Sequence, residues 1–199
     1  LMSRAAFMNY LRIEKFLPGH NRYTFFHFLL PHTPYILSAD CSYCMKKNGL
    51  QKTSSHEQAQ CTTKLVIQFV ETLNALNRFK DAMIVIHADH GRRKDLTDIA
   101  SLDLARDACK ALLLVKPPGR GAGVPFETSM RETMLLDVPP TILSGVGRLP
   151  PPSLEGLSLL DPPPAPGNRT RPFMIYDDKR YVLYEMREGE PVLKRIIAR

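Results

Sequence analysis

Apolar positions Phe7, Tyr10, Leu11 and Leu17 fall near one helical face, so residues 3–17 are expected to form a helix stopped by Pro18-Gly19. Residues 23–30 are short, aromatic and apolar, which suits a buried strand ended by Pro31. Residues 41–54 are polar and read as a loop. A long helix follows. Ser54 with Glu57, and Ser55 with Gln58, both have the capping-box spacing, and Leu65, Phe69, Leu73 and Leu76 carry the helical repeat to about Phe79. Residues 81–88 form a nearly continuous apolar run, the pattern of a strand covered on both faces in a parallel sheet. Residues 92–110 are charged and read as a loop with a short helical piece. Residues 111–115 are a second strand closed by Pro117-Pro118-Gly119.

Further on, residues 135–145 are expected to form a short helix with Asp137 as N-cap and Pro139 in its first turn. Residues 150–167 hold seven of the 17 prolines and read as extended surface chain. Residues 173–176, 181–185 and 192–197 then make short strands, with turns at Asp177-Asp178 and Glu188-Gly189. No internal repeat is evident. The order strand, helix, strand, loop, strand implies an α/β fold with a largely parallel sheet flanked by helices, followed by a small C-terminal antiparallel sheet. Residues 1–160 are expected to form the main body, and residues 161–199 the Pro-rich connection and end-sheet of the same domain.

Ligands in parallel α/β sheets gather at the carboxyl ends of strands, which directs attention to the residues after Ile86 and after Leu30. In Ile84-Val-Ile-His-Ala-Asp-His-Gly91 an apolar strand runs into Asp89 and His90, a carboxylate and an imidazole suited to metal ligation or acid–base work. Gly91 would permit a tight turn there. The competing reading is an N-cap aspartate beside a surface histidine, but two polar groups closing so apolar a strand need a reason. In His27-Phe-Leu-Leu-Pro-His-Thr-Pro-Tyr35, two prolines bracket His32 and restrict its backbone, so its imidazole could donate to an oxyanion; a turn histidine with no role is the alternative. His27 reads as a packed core residue. Lys116, after the second strand, is a candidate for approaching an anion, against the alternative of a solvated lysine.

Composition changes this picture little. The 199 residues are 44% hydrophobic and 24% charged, enough for a core. The net charge of +7 suits an anionic substrate or a nearby anionic surface. No basic run exceeds Arg92-Arg93-Lys94 and no aromatic–basic interleaving appears, so nucleic acid is not an expected partner. No apolar block of about 20 residues marks a membrane span, and no signal peptide is visible. The chain starts at Leu1 and is read as a piece of a longer protein. Four cysteines stand at 41, 44, 61 and 109. Cys41-Ser-Tyr-Cys44 lacks the second pair of a zinc site. A disulfide joining Cys61 to Cys41 or to Cys44 in an oxidising compartment is one reading, and free buried thiols are the other. Asn168-Arg-Thr170 has the spacing of a glycosylation sequon.

Five segments occur in an order that resembles the C-terminal half of a sulfatase-type domain of the alkaline phosphatase superfamily. They are His32-Thr-Pro-Tyr35, the helix from about Gln60 to Phe79, His87-Ala-Asp-His-Gly91, Leu136-Asp-Val-Pro-Pro-Thr-Ile-Leu143, and Leu154-Glu-Gly-Leu-Ser-Leu-Leu160. The likeness covers roughly residues 20–185 and is nearer to membrane-anchored members such as phosphoethanolamine transferases and lipoteichoic acid synthases. The resemblance implies an alkaline-phosphatase-like fold, here truncated, and a metal-dependent hydrolase or transferase acting on phosphate or sulfate esters. It implies one divalent ion (Mn, Zn, Mg or Ca) with Asp89 and His90 among its ligands, and His32 near the oxygens of the transferring group. It implies an anionic ester substrate, lipid-linked or glycan-borne, and an extracytoplasmic catalytic domain tethered to a membrane by N-terminal segments.

The departures are specific. The family's nucleophile and first acidic metal ligand would lie upstream of Leu1, and no Cys-x-Pro-x-Arg signature follows any of the four cysteines. The 199 residues alone are therefore expected to be inactive, and to expose an unpaired edge and an apolar face. The alternatives are a non-catalytic sulfatase-fold relative and an unrelated basic binding module.

Overall fold

A computed structural model describes residues 3–44, 53–92, 99–165 and 169–198. The chain divides into two compact units, Leu1–Asp81 and Ala82–Arg199.

The first unit is built on two helices. Helix α1, Arg4–Ile13, starts where the Ser3 hydroxyl accepts from the Ala6 amide and passes into a 3-10 turn, Glu14–Phe16. Helix α2, Ser55–Ala75, carries the Ser54–Glu57 capping box; the Ser55–Gln58 spacing is not used as a box, and Gln58 is buried. The helix stops four residues short of Phe79. Asn77 takes a left-handed conformation (φ 56°), and the Arg78 and Phe79 amides fold back onto the Leu73 carbonyl.

Phe7, Leu37, Cys41, Cys61 and Leu65 form this unit's core, with Phe26, Phe28, Leu30 and Phe69 packed against it. Phe7 meets Phe26 and Phe28 edge-on at 5.4 and 5.0 Å. The expected buried strand over residues 23–30 is corrected here. The segment is extended, but only alternate residues Phe26, Phe28 and Leu30 face the core, while Tyr23, Phe25 and Leu29 are exposed. One covered face produces this period of two; the aromatic run hides it, because both faces are apolar.

Arg78, just beyond α2, donates to the Glu14 and Leu17 carbonyls and to the buried Glu14 carboxylate, which Arg22 also binds at 2.5 Å. Burial alone would raise the Glu14 pKa, but the hydrogen-bonded guanidiniums of Arg22 and Arg78 hold it below the usual carboxylate range.

In the second unit, strand β1, Ile84–His87, pairs with strand β2, Leu113–Lys116. The pairing is antiparallel, Ile84 opposite Lys116 and His87 opposite Leu113, and both strands are largely half-buried. This overturns the expected largely parallel sheet: among the described residues both sheets are small and antiparallel. An apolar run reports coverage and carries no direction, so the inference from hydrophobicity to parallel pairing fails here. The chain is mixed α/β.

Between the two strands lies helix α3, Leu102–Ala108. Later comes helix α4, Val138–Gly145, entered from a 3-10 turn, Leu135–Asp137. Asp137 stands at the N-cap position, yet its side chain makes no cap bond into α4. It is fully buried and accepts from the Met134 and Leu157 amides at 2.8 Å and from both terminal nitrogens of Arg169 at 2.5 and 2.7 Å. Burial works to raise its pKa, and these four donors hold it lowered. Arg131 gathers the Ser158, Leu159 and Asp161 carbonyls, so part of the Pro-rich stretch is tied down.

The small C-terminal antiparallel sheet is present. Strands β3 (Arg171–Tyr176), β4 (Arg180–Arg187) and β5 (Glu190–Ala198) lie in that order. Asp177 caps the first turn by accepting from the Lys179 and Arg180 amides, and Glu188-Gly189 turn with positive φ at both residues. The sheet packs on α3: Ile175, Val182 and Tyr184 meet Ile99, Leu104, Ala105 and Ala108. The buried Tyr184 hydroxyl donates to the Ile99 carbonyl at 3.1 Å.

Candidate functional site

Asp89 and His90 follow β1 directly and are exposed, with side chains 87% and 43% accessible. The turn that carries them is fastened at both ends. The Ala88 amide donates to the Leu112 carbonyl at 3.0 Å, continuing the ladder, and the Gly91 amide donates to the Ala108 carbonyl at the end of α3 at 2.7 Å. The need for glycine at 91 is steric. Its φ is ordinary, but a Cβ there would collide with the Asp107 carbonyl and sit 2.8 Å from that of Lys110. Conformational freedom, the reason expected from the sequence, is not what the position requires.

The pair is oriented by its own backbone. The His90 amide donates to Asp89 Oδ1 at 3.0 Å, which fixes the carboxylate. His90 Nδ1 lies 2.6 Å from the Gly91 carbonyl oxygen, an acceptor only, so Nδ1 carries the hydrogen. In the neutral ring Nε2 then keeps its lone pair, and it lies 3.7 Å from Asp89 Oδ2. An imidazole whose far nitrogen is tied to a carbonyl is the usual arrangement of a metal-bound histidine. The donor set therefore fits a divalent ion as two of its ligands, though among the described residues no third His, Cys, Asp or Glu joins them.

His32 belongs to the first unit, on a turn where the bonds to Pro31 and Pro34 are both cis. Its side chain is exposed, and its Nδ1 donates to the Thr33 carbonyl at 2.6 Å. Nε2 is thus the atom left for a ligand, and it donates only when the ring is protonated. The turn is held from behind by Gln58, whose amide nitrogen donates to the His32 carbonyl at 2.7 Å. Lys116 stands at the opposite end of the β1–β2 ladder from His87, with Nζ donating to the Ala82 carbonyl at 2.9 Å, so it is not placed beside Asp89 and His90. His27 is exposed, contrary to the expected core position.

Cys41 and Cys61 form a disulfide, while Cys44 and Cys109 are free. Asn168 of the sequon lies outside the described residues, as do Arg93 and Lys94. Among the described residues no helix is long and apolar enough to cross a membrane. The chain matches no known family model, no curated protein and no solved structure.

Proposed function

We propose that the chain is the C-terminal part of a sulfatase-like, alkaline-phosphatase-superfamily domain that hydrolyses or transfers phosphate or sulfate esters. The observation that carries this reading is the Asp89–His90 pair. It is exposed at the end of an apolar strand, oriented by its own backbone, and clamped against the end of α3. The order of the four other motif segments along the chain also supports it.

In this reading Asp89 and His90 hold a divalent ion through a carboxylate oxygen and Nε2. A bound ion there would neutralise charge on the ester and activate a nucleophile supplied from outside the 199 residues. The chain's own contributions there are the Asp89 carboxylate and the His90 tautomer that leaves Nε2 open. The Cys41–Cys61 disulfide supports an oxidising, extracytoplasmic setting, in line with a membrane-tethered domain acting on lipid-linked or glycan-borne esters.

Expressing the reading frame extended upstream of Leu1, and assaying it with bis(p-nitrophenyl) phosphate and p-nitrophenyl sulfate, tests this function. Turnover of either, abolished by Asp89→Ala, is the expected result. A frame closed just upstream of Leu1, or turnover indifferent to Asp89→Ala, removes the reading. Binding of anions without turnover would select the non-catalytic relative.

A further inference from the structure

Residues 122–130 are all exposed, and among them are three apolar side chains, Phe126 at 92%, Met130 at 93% and Val124 at 48%. Residues 124–130 have no regular structure, and their backbone makes no hydrogen bond to another described residue. Pro125 has a fixed φ and disfavours helical backbone at Val124, so the run into Phe126 is extended. Just before it, a Cβ at Gly119, Gly121 or Gly123 would meet nothing within 4 Å, so the stretch stands clear of other elements.

The stretch is fastened at both ends. Lys116 closes the β1–β2 ladder opposite Ile84. On the far side Arg131 donates to the Ser158, Leu159 and Asp161 carbonyls, and Glu132 pairs with Arg171 at 2.5 Å. In between, the Arg120–Glu127 ion pair at 3.0 Å is exposed at both partners and holds little. A segment of this kind can enter the cleft of an endoprotease, which takes several residues of extended chain, without either neighbour unfolding.

We propose that residues 122–130 are a proteolytic processing site, cut between Phe126 and Glu127 by an endoprotease with an apolar primary pocket. Hydrolysis adds water across that peptide bond, leaving a carboxylate on Phe126 and an amine on Glu127. The products stay together, because α3 precedes the cut and the β3–β4–β5 sheet follows it. Ile99, Leu104 and Ala105 remain packed on Ile175, Val182 and Tyr184. The Tyr184 hydroxyl keeps its bond to the Ile99 carbonyl, and Arg106 keeps Glu190 at 2.5 Å. One chain thus becomes a two-chain molecule held by its own core. The other exposed aromatics are placed differently. Phe25 is followed by Phe26, which packs on the core of the first unit, and Phe16 ends a 3-10 turn that contains the buried Glu14. Cutting there requires local unfolding first.

Brief treatment of the 199-residue chain with a low ratio of chymotrypsin tests this, with fragments read by mass spectrometry and by size exclusion without denaturant. The first cut is expected after Phe126, giving residues 1–126 and 127–199, which elute together and separate only in denaturant. Phe126→Ala leaves both cores intact and should slow cutting in this stretch at least about tenfold. Met130→Ala, at an equally exposed position of the same stretch, should leave the Phe126 cut unchanged. A first cut at Phe16, Tyr23 or Phe25, an undiminished rate in Phe126→Ala, an equal slowing in Met130→Ala, or fragments that separate without denaturant would each overturn the proposal.

Discussion

The Asp89–His90 pair and its glycine show how little room individual positions have. Gly91 sits where two carbonyls at the end of α3 approach, so Gly91→Ala must push the turn away from them. The expected cost is about 1–3 kcal/mol by chemical denaturation, as for other overpacking changes. It should come with altered His90 ring signals, since the Gly91 carbonyl orients that ring. Unchanged stability and unchanged His90 signals would contradict the clamp. Asp89, His90 and His32 were legible as candidates from their place after apolar runs and between prolines. Gln58 was not. Its spacing from Ser55 matches a cap, and nothing local in the sequence says that the Ser54–Glu57 pair takes that role and frees Gln58 to turn inward.

Among the elements, those with strong local signals form as expected: α1, α2, the short helix α4, and the hairpins at Asp177 and Glu188-Gly189. What was illegible is pairing. The runs at β1 and β2 showed that strands form but not their direction, and the aromatic stretch 23–30 concealed which face is covered. The N-cap expected at Asp137 became a buried carboxylate because Arg169, 32 residues away, reaches it.

Three predictions belong at this scale. Arg169→Met leaves the Asp137 carboxylate buried without its cation and should cost about 3 kcal/mol at neutral pH. The lowered Asp137 carboxyl binds its proton less readily folded than unfolded. Its stabilising contribution is therefore complete above the ordinary carboxylate range, about 4, and is lost as the pH falls through the lowered value. Glu14 behaves the same way. Asp137→Asn should therefore flatten part of the acid-side fall in denaturation free energy; an unaltered slope would contradict this. Reducing Cys41–Cys61, which closes a loop of 20 residues, should cost about 3 kcal/mol, measured by denaturant midpoints with and without reductant.

At the scale of the whole molecule, apolar surface is abundant where it is not needed for either core. Tyr23, Phe25 and Leu29 are 71, 65 and 52% exposed along one extended segment, and β5 leaves Leu193, Ile196 and Ile197 accessible. Such surface on an isolated chain favours association. Sedimentation velocity should show mass rising with concentration, and Phe25→Lys with Leu29→Lys should suppress it, though the net charge of +7 works against assembly at low salt. Monomer at all concentrations, or association untouched by the two substitutions, would contradict that assignment.

The central claim is that Asp89 and His90 are two ligands of a divalent ion site. The most direct measurement adds Mn2+ to the 199-residue chain and follows paramagnetic broadening of the histidine ring signals. The account predicts selective broadening of His90 at low metal concentration, with weak affinity because two protein ligands are found among the described residues, and its loss in Asp89→Ala. Uniform broadening of all exposed histidines, or His90 broadening that survives Asp89→Ala, would contradict it.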